Sequence, residues 1–281
     1  VSEQAVFDPV AIERKVSGSS FYAGMRILPK AERSAMFAIY GFCRAVDDIV
    51  DEPGGDPAAR RAELDAWRTD VENLYAGAAP GQMAFLAGDV RRFGLARADF
   101  LAVIDGMQMD LDQDIRAPDA AMLDLYCDRV ASAVGRLSVR IFGMEEAPGL
   151  ELAHHLGRAL QLTNILRDLD EDASIGRLYL PREALDAAGI GGSDPDAVIA
   201  DPRIDLACRS VANQAREHYA KSDAVLARRP AGRLAAPRLM SAVYGRILDG
   251  MQAKGWAAPR ERVSLNKLSL VWILVSRGLL G

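Results

Sequence analysis

AERSAMFAIYGFCRAVDDIVDE, residues 31–52, is the stretch whose reading decides the fold. Apolar side chains recur in it at i, i+3 and i+4. Pro29 stands just before it and Pro53, Gly54 and Gly55 follow, so the spacing predicts one long helix. Its last turns break the apolar pattern. Asp47, Asp48, Asp51 and Glu52 crowd together beside Arg44. Like charges three or four residues apart on a helix cost up to about 0.5 kcal/mol per pair. A bound cation is one candidate to offset that cost.

The same helical rhythm recurs through most of the chain while alternating, strand-like patterns are scarce, which predicts an all-α protein. Asp56 and Pro57 read as an N-cap and first helical residue, opening a helix that Gly77 closes. Further helices are expected over 97–115, 122–143, 150–172 and 207–227, and 186–204 reads as irregular. Separators are short, and no repeat or low-complexity linker divides the chain, so residues 1–281 are expected to form a single domain.

Composition narrows the function classes. Of the 281 residues 50% are hydrophobic, enough to bury one large core. A net charge of -5 argues against a broad nucleic-acid surface, and no nucleic-acid partner is expected. Cys43, Cys127 and Cys208 are far apart and lack CxxC spacing, so neither a disulfide framework nor a zinc site is indicated and a cytoplasmic protein is expected. VSEQAVFDPVAIERKV at the start does not read as a signal peptide. LSLVWILV at 268–275 is too short to span a bilayer, though it suits peripheral contact with the inner membrane.

Two acidic faces carry the chemistry. Asp47 and Asp51, four apart, share one helix face with Tyr40 and Arg44. Gln161, Asn164, Asp168 and Asp172 run at intervals of three, four and four in QLTNILRDLDED and also share a face. Hard divalent ions bridge protein oxygens to phosphate oxygens, so two such helices facing each other would make a magnesium–diphosphate clamp. Spacing alone misleads: in the triple Asp110, Asp112 and Asp114 of MDLDQD, the first and last satisfy DxxxD too, and the triple is read as surface at a helix end. His154 and His155 lack HExxH geometry and read as packing or surface groups, and GIGGSD neither completes GxGxxG nor follows a strand.

The acidic faces, about 120 residues apart, together with YCDRVASAVGRLSVRI (126–141) and LGRALQLTNILRDLDEDASIGRLYLP (156–181), resemble the squalene and phytoene synthase family, the head-to-head trans-isoprenyl diphosphate synthases. SSFYAGMRILP (19–29) with AIYGFCRAVDDIVDE is similar to the family's N-terminal helix pair, in the form it takes in bacterial hopanoid pathways. The resemblance implies an isoprenoid-synthase helical bundle around a deep apolar cavity, with the aspartate motifs facing each other at its mouth. It implies Mg²⁺, two or three ions, held by Asp47, Asp51, Asn164, Asp168 and Asp172, with Asp48 supporting them. Arg44, Gln161 and Arg167 resemble diphosphate-contacting positions. Ser20 and Phe21 belong to the N-terminal substrate motif, Tyr126 matches a signature tyrosine near the reacting carbons, and Tyr40, Tyr179, Tyr244 and Arg262 complete the substrate set.

The reaction so implied is a prenyltransferase condensation of two farnesyl diphosphates to presqualene diphosphate without NADPH, with downstream hopanoid-pathway enzymes as partners. A phytoene- or dehydrosqualene-type synthase is the alternative within the family. An all-α nucleotide pyrophosphohydrolase also uses acidic pairs on helices, but favours ExxE and leaves the RxYxP closing the second motif unexplained. A non-catalytic helical interaction protein gives no reason for twin clamps. The small residues of ASAVG (131–135) leave two readings open, room for a prenyl tail or close helix packing.

Overall fold

The computed structural model describes residues 24–51, 56–112 and 115–264. Ser20 and Phe21 of the N-terminal motif, Glu52, Asp114 and the 268–275 segment lie outside them. Twelve α-helices form among the described residues and no strand; Arg116 and Leu178 make one isolated bridge.

Helix α1 (Lys30–Asp51) starts behind Pro29 and buries Met36, Ile39, Phe42, Val46 and Ile49, the apolar stripe that the sequence shows. Phe42 is fully buried, edge-on to Trp67 at 5.6 Å and to Phe100 at 5.2 Å. Each such pair adds about 0.5–1.5 kcal/mol beyond area burial, and together they fix α1 against α2 (Pro57–Ala76) and α4 (Arg97–Asp112). Asp56 caps α2 by accepting from the Ala58 N–H, and Gly77 ends it in the left-handed conformation, as the sequence predicts. The short α3 (Ala87–Phe93) links α2 to α4.

The helix expected over 122–143 is interrupted. α5 (Ala120–Cys127) passes into a π-helical turn at Asp128–Ser132 before α6 (Ala133–Ile141). Ion pairs gather there: Arg136 donates to Asp99 at 2.6 Å and to Asp128 at 3.1 Å, while Arg158, only 5% exposed, donates to Asp124 at 2.6 Å and to Asp128 at 3.2 Å. A buried guanidinium needs such partners. These pairs tie the turn to α4 and to α7 (Glu146–Arg167).

The helix expected over 150–172 also divides, at Asp168, whose φ of -104° and ψ of 22° end α7 and begin α8 (Leu169–Ser174). Hydrogen bonds still run from Asp168 N to Asn164 O at 2.9 Å and from Asp172 N to Asp168 O at 2.8 Å, so the kink loses no turn. Asp170, Glu171 and Asp172 fall in the first turn of α8, where carboxylates are favoured. The stretch expected to be irregular, 186–204, instead holds the end of α9 (Arg182–Ala187) and all of α10 (Pro195–Ala200), capped by Asp194 accepting from Ala197 N at 2.9 Å. Helices this short rest on a cap and local packing, which apolar periodicity does not reveal.

α11 (Ile204–Ala227) packs along α7, and α12 (Ala235–Lys254) closes the bundle. Buried side chains fall into two clusters, one on α1, α2, α4 and α6 and the other on α7, α11 and α12, with Val130 and Met144 touching both. An apolar cavity follows the seam, from Met36 and Ile39 on one side to Leu156, Met240 and Tyr244 on the other.

Candidate active site

Ala131, Val134 and Gly135 line this cavity, and helix packing is equally close there. A Cβ on Gly135 would meet Ala153 Cα at 3.1 Å, and one on Gly157 would meet Ser132 Cα at 2.7 Å. The small residues of the ASAVG run thus let α7 approach closely and also border the cavity.

One end of the cavity opens into a polar mouth that shares Tyr40, Cys43, Val130, Gln161 and Asn164 with it. Asp47 and Asp51 reach the mouth from α1, Asp168 and Asp172 from the α7–α8 junction. The two acidic faces thus meet over the apolar cavity. Burial, followed by the neighbouring Asp51, pushes the Asp47 carboxyl up to about 6. Burial and then Asp168 push Asp172 up to about 7. Asn164 Oδ1 is buried in the same mouth without a hydrogen-bond partner. An orphaned amide oxygen among carboxylates that resist ionisation is an oxygen donor set suited to a hard divalent cation.

Guanidinium groups stand against these carboxylates. Arg44 donates to Asp47 at 2.5 Å and also to Asp48. Arg167 holds both oxygens of Asp168, at 2.8 and 2.6 Å, and Arg262 reaches the same carboxylate at 2.7 Å. Arg262 is brought there because Trp256 donates its indole N–H to Leu166 O at 2.9 Å, pinning the chain after α12 to the end of α7. Tyr244 lines the cavity near Arg167. Asp48 lines neither the cavity nor its mouth; 51% exposed, it pairs with Arg44 on the outer side of α1.

The structure corrects the reading of Asp110 as surface. Its carboxylate is half-buried in the mouth, accepting from Tyr179 Oη at 2.7 Å and from Tyr126 Oη at 3.1 Å. The two rings stack with centroids 4.9 Å apart. Burial above all raises Asp110, against the pull of Arg177, and burial then Asp110 raise both tyrosines, so the phenols stay protonated. Arg177, the arginine of the RxYxP run but not among the expected site residues, donates to Asp51 at 2.9 Å and lines the mouth with both acidic faces. It is delivered by the isolated bridge, in which Leu178 N donates to Ile115 O and Ala117 N to Leu178 O, both at 2.9 Å. A signal for Asp110 was present: Val103, Met107 and Asp110 lie at i, i+4 and i+7, placing a carboxylate on a buried apolar stripe.

The squalene/phytoene synthase family model matches residues 14–269. The chain belongs to the squalene/phytoene synthase family. Enzymes of this family are prenyltransferases that depend on a divalent metal. The chain is 59% identical to presqualene diphosphate synthase of Zymomonas mobilis, over 94% of this chain and 91% of that protein. It is 56% identical to presqualene diphosphate synthase of Rhodopseudomonas palustris, over 95% and 96%. Identity to phytoene synthase of Mycobacterium tuberculosis is 34%, over 90% and 84%. A crystal structure of a dehydrosqualene synthase superposes with a TM-score of 0.81 at 24% identity, covering 96% of this chain and 95% of that one. The fold is the all-α isoprenoid-synthase fold. Among the described residues no helix is long and apolar enough to cross a membrane.

Proposed function

We propose that this chain joins two farnesyl diphosphates head to head, releasing diphosphate and forming presqualene diphosphate. The observation that carries the choice of product is the gap between 59% identity to a presqualene diphosphate synthase and 34% to a phytoene synthase, each over at least 90% of the chain. The catalytic unit is a single domain. Asp47, Asp51, Asn164, Asp168 and Asp172 would hold two or three Mg²⁺ ions. When bound, magnesium supplies Lewis-acid stabilisation of the leaving diphosphate.

The protein's own groups do the rest. Arg44, Arg167 and Arg177 hold phosphate oxygens as the allylic C–O bond breaks and diphosphate leaves with the electron pair. The apolar cavity excludes water from the allylic cation, and the stacked faces of Tyr126 and Tyr179 beside the Asp110 carboxylate favour positive charge there. The second substrate's double bond attacks the cationic carbon, and loss of a proton closes the cyclopropane. Because both phenols stay protonated, we assign that proton to the released diphosphate. Asp48 acts by holding Arg44.

The reaction ends before any reduction, so NADPH is not used. The product is a long-chain lipid diphosphate, which suits delivery to downstream hopanoid-pathway enzymes at the inner membrane. Three free cysteines, two of them buried, suit a reducing cytoplasm. Incubating the chain with farnesyl diphosphate and Mg²⁺, with and without NADPH, and analysing the extract by mass spectrometry tests the proposal. Presqualene diphosphate should accumulate in both reactions. Squalene, dehydrosqualene or hydroxysqualene as main product, or activity only with geranylgeranyl diphosphate, would overturn it.

A further inference from the structure

All three histidines of the chain come together away from the cavity. His154 and His155 are consecutive on α7, and His218 lies on α11, the helix packed along it. His155 Nδ1 and His218 Nδ1 are 3.1 Å apart, and one ring nitrogen from each of the three lies within 4.8 Å of the others. None of the three lines the cavity or its mouth. We propose that His154, His155 and His218 form a binding site for a divalent transition metal of the zinc class, with the fourth position left to water.

The geometry is close to what such an ion needs. Two zinc–nitrogen bonds of about 2.0–2.1 Å at a tetrahedral angle place their nitrogens about 3.3–3.4 Å apart. The His155–His218 pair already stands near that span, and His154, the exposed member, closes the set. A hydrogen bond joins His155 and His218, and the His154 ring stands edge-on to His155 with centroids 4.7 Å apart, which brings its nitrogen into the same set. All three rings are held in the neutral, ligating form: burial first lowers each, and burial with the neighbouring histidines brings His218 down to about 4. Arg158 and Lys221 face the cluster as cations, opposed by Asp124, Asp128 and Glu151, and Arg158 is itself paired with Asp124 and Asp128. Imidazole selects zinc, copper or nickel over magnesium, so this site and the carboxylate mouth take different metals. The ion would clamp α7 to α11.

The test uses the chain without a histidine tag, stripped with a chelator and returned to buffer containing excess Mg²⁺. Zn²⁺ is titrated calorimetrically and Co²⁺ by visible absorption. One ion per chain, with Kd below about 10 µM, a tetrahedral Co²⁺ spectrum and a raised melting temperature are expected. His155→Gln and His218→Gln should each weaken binding at least about tenfold, and His154→Ala, on the exposed ring, keeps the test valid if a half-buried variant misfolds. Farnesyl diphosphate turnover should be unchanged in the three variants. Failure to take up Zn²⁺ below about 100 µM, or equal uptake by wild type and His154→Ala, would overturn the proposal.

Discussion

Stripping the protein of divalent ions and raising the pH from about 5 to about 8 should lower its melting temperature by an amount set by Asp47 and Asp172. Their carboxyls titrate at about 6 and about 7 in the fold against an ordinary 3.8. A group with a raised folded value binds its proton more tightly in the native state. The stabilisation is therefore complete below about pH 4 and is lost as pH climbs through about 6 and then about 7. Within the window that starts at pH 5, about one and about two pH units of those gaps remain, and at about 1.4 kcal/mol each they cap the combined effect near about 4 kcal/mol. Both groups stand in an open mouth where water screens them, so about 2 kcal/mol is expected, or about 4 °C for a chain of this size. Differential scanning fluorimetry in EDTA across the range, with Asp47→Asn/Asp172→Asn as the reference, isolates the contribution of the pair. An identical pH slope in wild type and double variant would refute the reasoning. Added Mg²⁺ should reverse the trend and stabilise most near pH 8, because protons compete for the same oxygens.

Asp47→Asn and Asp168→Asn should each nearly abolish turnover while circular dichroism stays helical; near-normal activity in either would remove it from the metal-binding set. Asp110→Asn should keep or raise the melting temperature, since burial dominates its upward shift, yet lower turnover by about 10–100-fold in a product assay. Gly157→Ala should cost about 1–3 kcal/mol in urea denaturation, because the added Cβ would stand 2.7 Å from Ser132 Cα and backbone cannot yield as a side chain can.

The long helices were legible because each buries an apolar stripe at helical spacing and several carry their caps in sequence. α1 needed only Met36, Ile39, Phe42 and Val46, and α2 announced itself through Asp56, Pro57 and Gly77. The interruptions were not legible. The π turn at 128–132 shifts the hydrogen-bond step, Ala133 N–H reaching Asp128 O, with no proline or glycine in the run to mark it, and the kink at Asp168 keeps the helical step. What marks them is a tertiary set of ion pairs contributed from α4, α7 and the chain after α12. Asp110 was misread for a related reason. Its DxxxD partner made it look like an exposed acidic run, whereas its place is decided by Tyr126 and Tyr179, 16 and 69 residues away.

The mouth carries a charge arrangement that bears on how a diphosphate enters. Arg44, Arg167, Arg177 and Arg262 are each already bonded to Asp47, Asp168 or Asp51. Such pairs hold the carboxylates in place, yet burial still outweighs them at Asp47 and Asp172. A divalent ion and a diphosphate would meet these pairs as a partner exchange, the ion held by Asp47, Asp51, Asp168 and Asp172 and the phosphate oxygens by the guanidiniums those carboxylates now occupy. Neither half would proceed well alone, because freeing Arg177 without an anion leaves a half-buried cation unpaired, and freeing Asp51 without a cation adds to the repulsion on Asp47. The clamp would therefore assemble around metal and diphosphate together, and the carboxylate crowding at the end of α1 is a cost that the bound state relieves.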